Sequence, residues 1–163
     1  MYKAVFLDRD GVINDNSKDY YIYLPDAFII NPDVIESILL LKNKGYKLFI
    51  VSNQGGISKG LYSKRDVEIV HEKMLGIFDS YGIVINEIYF CPHHDSVENC
   101  ICRKPDSGLI EKLIARYDID KDKSYFIGDS DRDSLAANKA GLHAIKIESN
   151  TSILEVCKAI VKN

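Results

Sequence analysis

The chain has 163 residues, the length of one ordinary folding unit, enough to bury about two-thirds of its unfolded surface. Apolar and charged residues occur in globular proportions and the net charge of -3 mixes both signs, which excludes a disordered chain, a basic nucleic-acid surface and an acidic tail. No apolar run approaches the roughly 18 residues of a membrane span, and the N-terminal "MYKAVFLDRDGV" lacks a signal peptide's apolar region and cleavage site. A cytoplasmic chain is expected, with one domain over residues 1–163. Disulfides are rare in that compartment.

Strand and helix patterns alternate along the chain. "KAVFLD" (Lys3–Asp8) is a compact apolar run that reads as a buried strand. "PDVIESILLLKNKG" places Pro32 early and Gly45 late, the punctuation of a helix. "YKLFIVSN" (Tyr46–Asn53) is a second strand. Ser63–Gly82 opens on a serine cap and aligns Val67, Val70, Met74, Ile77 and Phe78 on one helical face. Ile83–Cys91 is a third strand. "SGLIEKLIARYD" is a helix with Leu109, Leu113 and Ile114 inward, "KSYFIGDSD" a fourth strand ending near Gly128, and "RDSLAANKAG" a short helix. "HAIKIE" and "SILEVCKAIVKN" supply a fifth strand and a terminal helix. Such alternation predicts an α/β chain, a mainly parallel sheet covered by helices on both faces. Two long loops, Gly11–Asn31 and Cys91–Lys104, interrupt it, and long loops in compact chains are usually functional.

Open parallel sheets bind ligands beyond the carboxyl ends of their strands. Those ends read "DRDGVIND", "SNQGGISKG", a Cys/His loop closing on "CRKP", and "GDSDRD"; the fifth end, "ESNT", carries no chemical signal. Asp8, Asp10 and Asp129 would cluster there, and clustered carboxylates repel unless a cation neutralises them. An oxygen site with open positions suits Mg²⁺ shared with a phosphate. Ser52, Asn53 and Lys104 are donors of the kind that hold phosphate oxygens. A carboxylate beside Mg²⁺ and a lysine can accept a phosphoryl group. Asp10 could protonate the leaving alcohol and later activate water.

The four segments "FLDRDGVIND", "VSNQGGISKG", "CRKP" and "GDSDRD", in this order, resemble the four motifs of the haloacid dehalogenase-like phosphatases. With "CPHH" and "CxCRKP", the chain is similar to the branch holding the heptose-bisphosphate phosphatases and the histidinol-phosphate phosphatase domain. The resemblance implies the Rossmann-like three-layer αβα sandwich of that superfamily, a minimal cap and a zinc-stabilised loop. It implies Asp8 as nucleophile, Asp10 as general acid and base, and Mg²⁺ on Asp8, the main-chain oxygen of Asp10, and Asp129. Ser52 and Lys104 would hold the transferring phosphate. Asn53, Arg103, Lys59 and Tyr21 would face the substrate. Asp133 would support Lys104 or the metal's outer shell. Lys59 stands where relatives often carry arginine, and "KPDSG" lacks a second proline, leaving Ser107 to cap the following helix.

The stretch "CPHHDSVENCIC" could be a disulfide clip, a metal cage or a catalytic centre. A cytoplasmic chain disfavours the clip. Spacings of C-x-H and C-x-C suit a closed, structural Zn²⁺ site on Cys91, His93, Cys100 and Cys102; the resemblance selects His93 over His94. Elsewhere blander readings hold. His71 reads as solvated, His143 as unpartnered, Asp131 and Arg132 as solvated helix-start residues, and Cys157 as a small buried residue. The expected partner is a small phosphorylated sugar or metabolite, without nucleic acid or membrane, and a monomer is expected. By resemblance the substrate is D-glycero-D-manno-heptose 1,7-bisphosphate, losing its 7-phosphate for lipopolysaccharide synthesis. Histidinol phosphate is the alternative, and a non-catalytic zinc-bearing interaction module the alternative of another class.

Overall fold

The computed structural model describes residues 1–163. Five parallel strands form one sheet in the order β3-β2-β1-β4-β5: β1 Ala4–Leu7, β2 Lys47–Asn53, β3 Glu87–Cys91, β4 Tyr125–Gly128 and β5 His143–Lys146. Helices α1 (Val34–Asn43), α2 (Lys64–Ser80), α3 (Gly108–Tyr117) and α4 (Asp131–Ala140) fill the connections, and α5 (Leu154–Lys162) follows β5. No helix is long and apolar enough to cross a membrane.

The pleat sorts each strand's side chains between two cores. Val5, Leu7, Leu48 and Ile50 point to one face, where Val34, Ile38, Val70, Met74, Cys157 and Ile160 of α1, α2 and α5 cover them. Ala4, Phe6, Phe49 and Val51 point to the other, under Ile110 and Leu113 of α3 and Ala136 and Ala137 of α4. The expected αβα layering is therefore present, and β1 is buried throughout. On the second face Phe6 stacks on Phe49 with ring centroids 5.0 Å apart, a pair contributing about 0.5–1.5 kcal/mol beyond its buried area.

Some boundaries differ from the expectation. Asp33 takes a left-handed φ of 62°, so α1 starts at Val34 and excludes Pro32. The Ile83 amide remains bonded to Phe78 O at 3.0 Å, which holds that segment to the end of α2 and delays β3 to Glu87. Ile110 of α3 is fully buried while Leu109 is only partly so. Ser107 precedes α3 without capping it; its hydroxyl donates to Glu111 instead. His143 is not unpartnered, since its Nε2 lies 2.8 Å from Asp122 O.

The strand order places β1 between β2 and β4, where the chain's progression across the sheet reverses. Clefts open at such points, beyond the carboxyl ends of the strands. Asp8 follows β1 there, its amide bonded to Ile127 O at 3.0 Å. The Gly11–Asn31 loop lies over this end and contains one helical turn, Pro25–Ala27.

Candidate active site

A cleft of about 310 Å³ opens at this point, lined by residues from five strand ends. Asp8, Asp10, Asp129, Lys104, Asn53, Arg103 and Tyr21 all border it.

Lys104 organises the inner end. Its ammonium donates to Asp8 Oδ1 at 2.8 Å, to Val51 O at 2.8 Å, and pairs with Asp133 Oδ1 at 2.7 Å. An ammonium has three protons, so all are engaged. Burial favours its neutral form, but Asp133 and Asp8 outweigh burial and hold it charged. Asp133 is placed by a capping box: Ser130 Oγ accepts from the Asp133 amide, and Asp133 Oδ2 accepts from the Ser130 amide. That oxygen also accepts from the Asp129 amide at 3.1 Å. One carboxylate thus caps α4, braces the Asp129 turn and anchors Lys104.

Asp8 carries the opposite imbalance. Burial, then the charge of Asp133, push its carboxyl well above the usual carboxylate range, with Lys104 opposing and Asp129 adding to the rise. The carboxylates of Asp8, Asp129 and Asp133 lie within 4.8 Å of one another around a single lysine. Negative charge is thus in excess inside a buried pocket. A divalent cation on Asp8 and Asp129 would relieve it, and oxygen donors suit Mg²⁺. Asp133 Oδ1 pairs with Lys104 and its Oδ2 accepts from Ser130, which fits a supporting role beside the metal. Gly11 is required by this packing: its φ is +85°, and a Cβ there would collide with the Asp129 carboxylate. Asp129 is also held by Ser149 Oγ at 2.6 Å. Asn150 stitches the same turn to Gly11 O and to the Asn16 amide. The fifth strand end, without chemical signal in the sequence, is therefore the back wall of the acidic cluster.

Asp10 is held by three residues. Arg9, fully buried, spans both its oxygens at 2.9 and 3.1 Å. Asn14 donates to Oδ1 and Gln54 to Oδ2, each at 2.9 Å. Behind Arg9 stands His71, its Nε2 3.2 Å from Nη1. His71 is 7% exposed, which corrects its solvated reading. Burial, then the Arg9 charge, lower its pKa to about 3, so the ring is neutral and accepts the guanidinium proton.

Three expected contacts take other forms. The Ser52 hydroxyl is buried and accepts from Gln54 Nε2 at 2.8 Å rather than bordering the cleft. The polar atoms of Asn53 are spent on the main chain of Lys104. Lys59 stays off the cleft lining, its ammonium 5.8 Å from the Tyr21 ring. Arg132, read as solvated, borders the cleft. Arg9, Gln54 and Ser149 carried no motif signal of their own. His71 did carry one: it falls on the α2 face of Val67, Val70, Met74 and Phe78.

The Cys/His loop hangs beside this site. Cys91, His93, Cys100 and Cys102 bring their ligand atoms within 4.8 Å of one another, while His94 lines the cleft. His93 turns Nδ1 to the sulfurs, 3.2 Å from Cys102 Sγ, and Nε2 toward Glu98 at 3.9 Å. Burial opposes ionisation of Cys100, but the amides of Arg103 and Cys102 lower its thiol to about 7. Three thiols and an imidazole in this arrangement can hold a tetrahedral Zn²⁺. Arg103 is fixed to the same loop through Nη1 to His93 O at 3.1 Å.

A parallel sheet whose central strand is followed by Asp8 and Asp10, with Lys104 and Asp129 bordering the same cleft, is that of a haloacid dehalogenase-like phosphatase. The chain belongs to the polynucleotide kinase 3 phosphatase family, whose model matches residues 4–153. It is 35% identical to D-glycero-beta-D-manno-heptose-1,7-bisphosphate 7-phosphatase of Rhodopseudomonas palustris, over 98% of this chain and 95% of that protein. It is 39% identical to the histidine biosynthesis bifunctional protein HisB of Campylobacter jejuni, over 88% of this chain. There the chain spans only 41% of the relative's length. Among solved structures, the D,D-heptose 1,7-bisphosphate phosphatase of B. bronchiseptica, complexed with magnesium and phosphate, superposes with a TM-score of 0.84. It shares 32% identity, over 91% of this chain and 82% of that one.

Proposed function

We propose that residues 1–163 form one domain that hydrolyses a phosphomonoester, the 7-phosphate of D-glycero-D-manno-heptose 1,7-bisphosphate. The observation that carries this is Asp8, buried at the end of β1, paired to Lys104 and clustered with Asp129. The similarity to the heptose bisphosphate phosphatases supports the substrate.

Asp8 and Asp129, with the main-chain oxygen of Asp10, would hold Mg²⁺, which supplies charge to the phosphoryl oxygens when bound. An Asp8 oxygen attacks phosphorus and the ester P–O bond breaks. Asp10 gives its proton to the departing alkoxide. Water then loses a proton to Asp10 and attacks the aspartyl-phosphate, releasing phosphate and restoring Asp8. Lys104 keeps Asp8 aimed and exchanges one of its three partners for a phosphoryl oxygen. Cys91, His93, Cys100 and Cys102 would hold a structural Zn²⁺. The product would feed nucleotide-activated heptose for lipopolysaccharide or surface glycan.

A second reading, hydrolysis of histidinol phosphate, is favoured by the similarity to HisB. A non-catalytic zinc module is disfavoured by the presence of Asp8, Asp10 and Lys104 together. Phosphate release with Mg²⁺, for wild type and Asp8→Asn on both substrates, tests the assignment. Equal release by the two proteins defeats the nucleophile. Preference for histidinol phosphate selects the second reading, and no release from either substrate returns the zinc module.

A further inference from the structure

Charge in the cleft is separated by depth. The inner end holds Asp8, Asp10, Asp129 and Asp133 around one lysine. The remaining charged residues of the lining are two arginines, Arg103 from the Cys/His loop and Arg132 from the first turn of α4. His94 borders the same space. Asp95, from the same loop as Arg103, is already paired with it at 3.2 Å.

The two arginines differ in their freedom. Arg103 is anchored by Asp95 and by His93 O, with its side chain 8% exposed. Arg132 has no carboxylate within ion-pair distance, and its one side-chain hydrogen bond runs to the Tyr20 hydroxyl at 3.5 Å, a marginal length. A guanidinium has five donors in a planar fork that matches phosphate oxygens. Arg132 keeps nearly all of them for a ligand. It also follows Asp129 by three residues, so a substrate phosphate at the inner end and a second anion at Arg132 would be read by one loop.

We infer that Arg132, assisted by Arg103, is the specificity-determining residue for a second phosphate on the substrate, remote from the one that is cleaved. The inference rests on the sugar-bisphosphate reading and deepens it. An ammonium-bearing substrate would meet two arginines there and no unpaired acid.

The test compares wild type, Arg132→Ala and Arg132→Lys on heptose 1,7-bisphosphate and on heptose 7-phosphate. Loss of a charge-assisted contact raises the bisphosphate KM about tenfold or more in Arg132→Ala, with a smaller change in kcat. The 7-phosphate loses no more than about threefold in kcat/KM, because its distal end carries no anion to lose. Arg132→Lys recovers part of the KM. Equal losses on both substrates mean a structural role and overturn the proposal, as does an unchanged bisphosphate KM. A wild type that does not prefer the bisphosphate removes the substrate reading and the proposal with it. A preference that survives Arg132→Ala removes Arg132 alone.

Discussion

The side-chain amide of Asn53 and the main chain of Lys104 exchange two hydrogen bonds, each 3.0 Å long. Asn53 thereby acts as one more residue of sheet pairing beyond the end of β3. It sets the height at which Lys104 enters the cleft. Asn53→Asp removes the donor and puts a carboxylate against the Lys104 carbonyl. We expect kcat/KM to fall about tenfold to hundredfold, with a stability loss of about 1–3 kcal/mol. Steady-state kinetics beside urea unfolding separate the two effects, and an unchanged kcat/KM refutes the role.

Gly11 is the tightest point of the acidic cluster. Gly11→Ala imposes a left-handed backbone on a residue with a Cβ, costing about 1–2 kcal/mol, and displaces the Asp129 carboxylate. A Mg²⁺ titration followed by thermal shift should show weaker stabilisation than in wild type. The same Mg²⁺ dependence in both proteins would dissociate Gly11 from the metal.

His71 gives the protein an acid-side weakness. Its pKa is about 3 in the folded chain against an ordinary value of 6.5. Between those values the unfolded chain binds the extra proton, so stability drops as pH falls from 6.5 toward 3. The slope is up to roughly 1.4 kcal/mol per pH unit. Asp8, whose carboxyl is pushed up, titrates with the opposite sign. The comparison is therefore the difference between wild type and His71→Gln, which keeps an acceptor for Arg9 and does not titrate. Urea midpoints from pH 4 to 7 should flatten in the variant, and parallel curves would show that His71 is not the source.

Cys102 is two residues before Lys104. Cys102→Ser should lower bound Zn²⁺ from about one per chain to near zero. With the loop loosened, kcat/KM should decline about tenfold or more although every group bordering the cleft remains. Elemental analysis of protein purified under reducing conditions checks the first statement, and wild-type protein without zinc defeats both.

Much of this site was legible because each inner residue terminates an apolar run. Asp8, Asn53 and Asp129 follow or end strands whose burial is plain from composition, and a parallel sheet brings such ends together. The supporting residues were hidden because their partners are remote in sequence. Arg9 meets His71 across 62 positions, and Asn16 meets Asn150 across 134. Nothing local marks Gln54 as the bridge between Asp10 and Ser52. His71 was misread by its immediate neighbours, Val70 and Glu72, when the three-and-four spacing from Val67 and Met74 was the better guide. Ser52, expected at the phosphate, has a partner the sequence does not mark: its hydroxyl at the strand end accepts from the neighbouring Gln54 amide.

The strand order has a consequence for how the chain is made. On the ribosome β1 can pair with β2, and β2 then with β3, as they emerge, but the other edge of β1 waits for Tyr125–Gly128. For more than a hundred residues of synthesis, the Ala4–Leu7 strand offers an unpaired, wholly apolar edge, the kind that recruits other chains. A product truncated before β4 would keep that edge permanently. Such a fragment is expected to aggregate or to be captured by chaperones, and a nascent chain to become safe only as its last quarter appears.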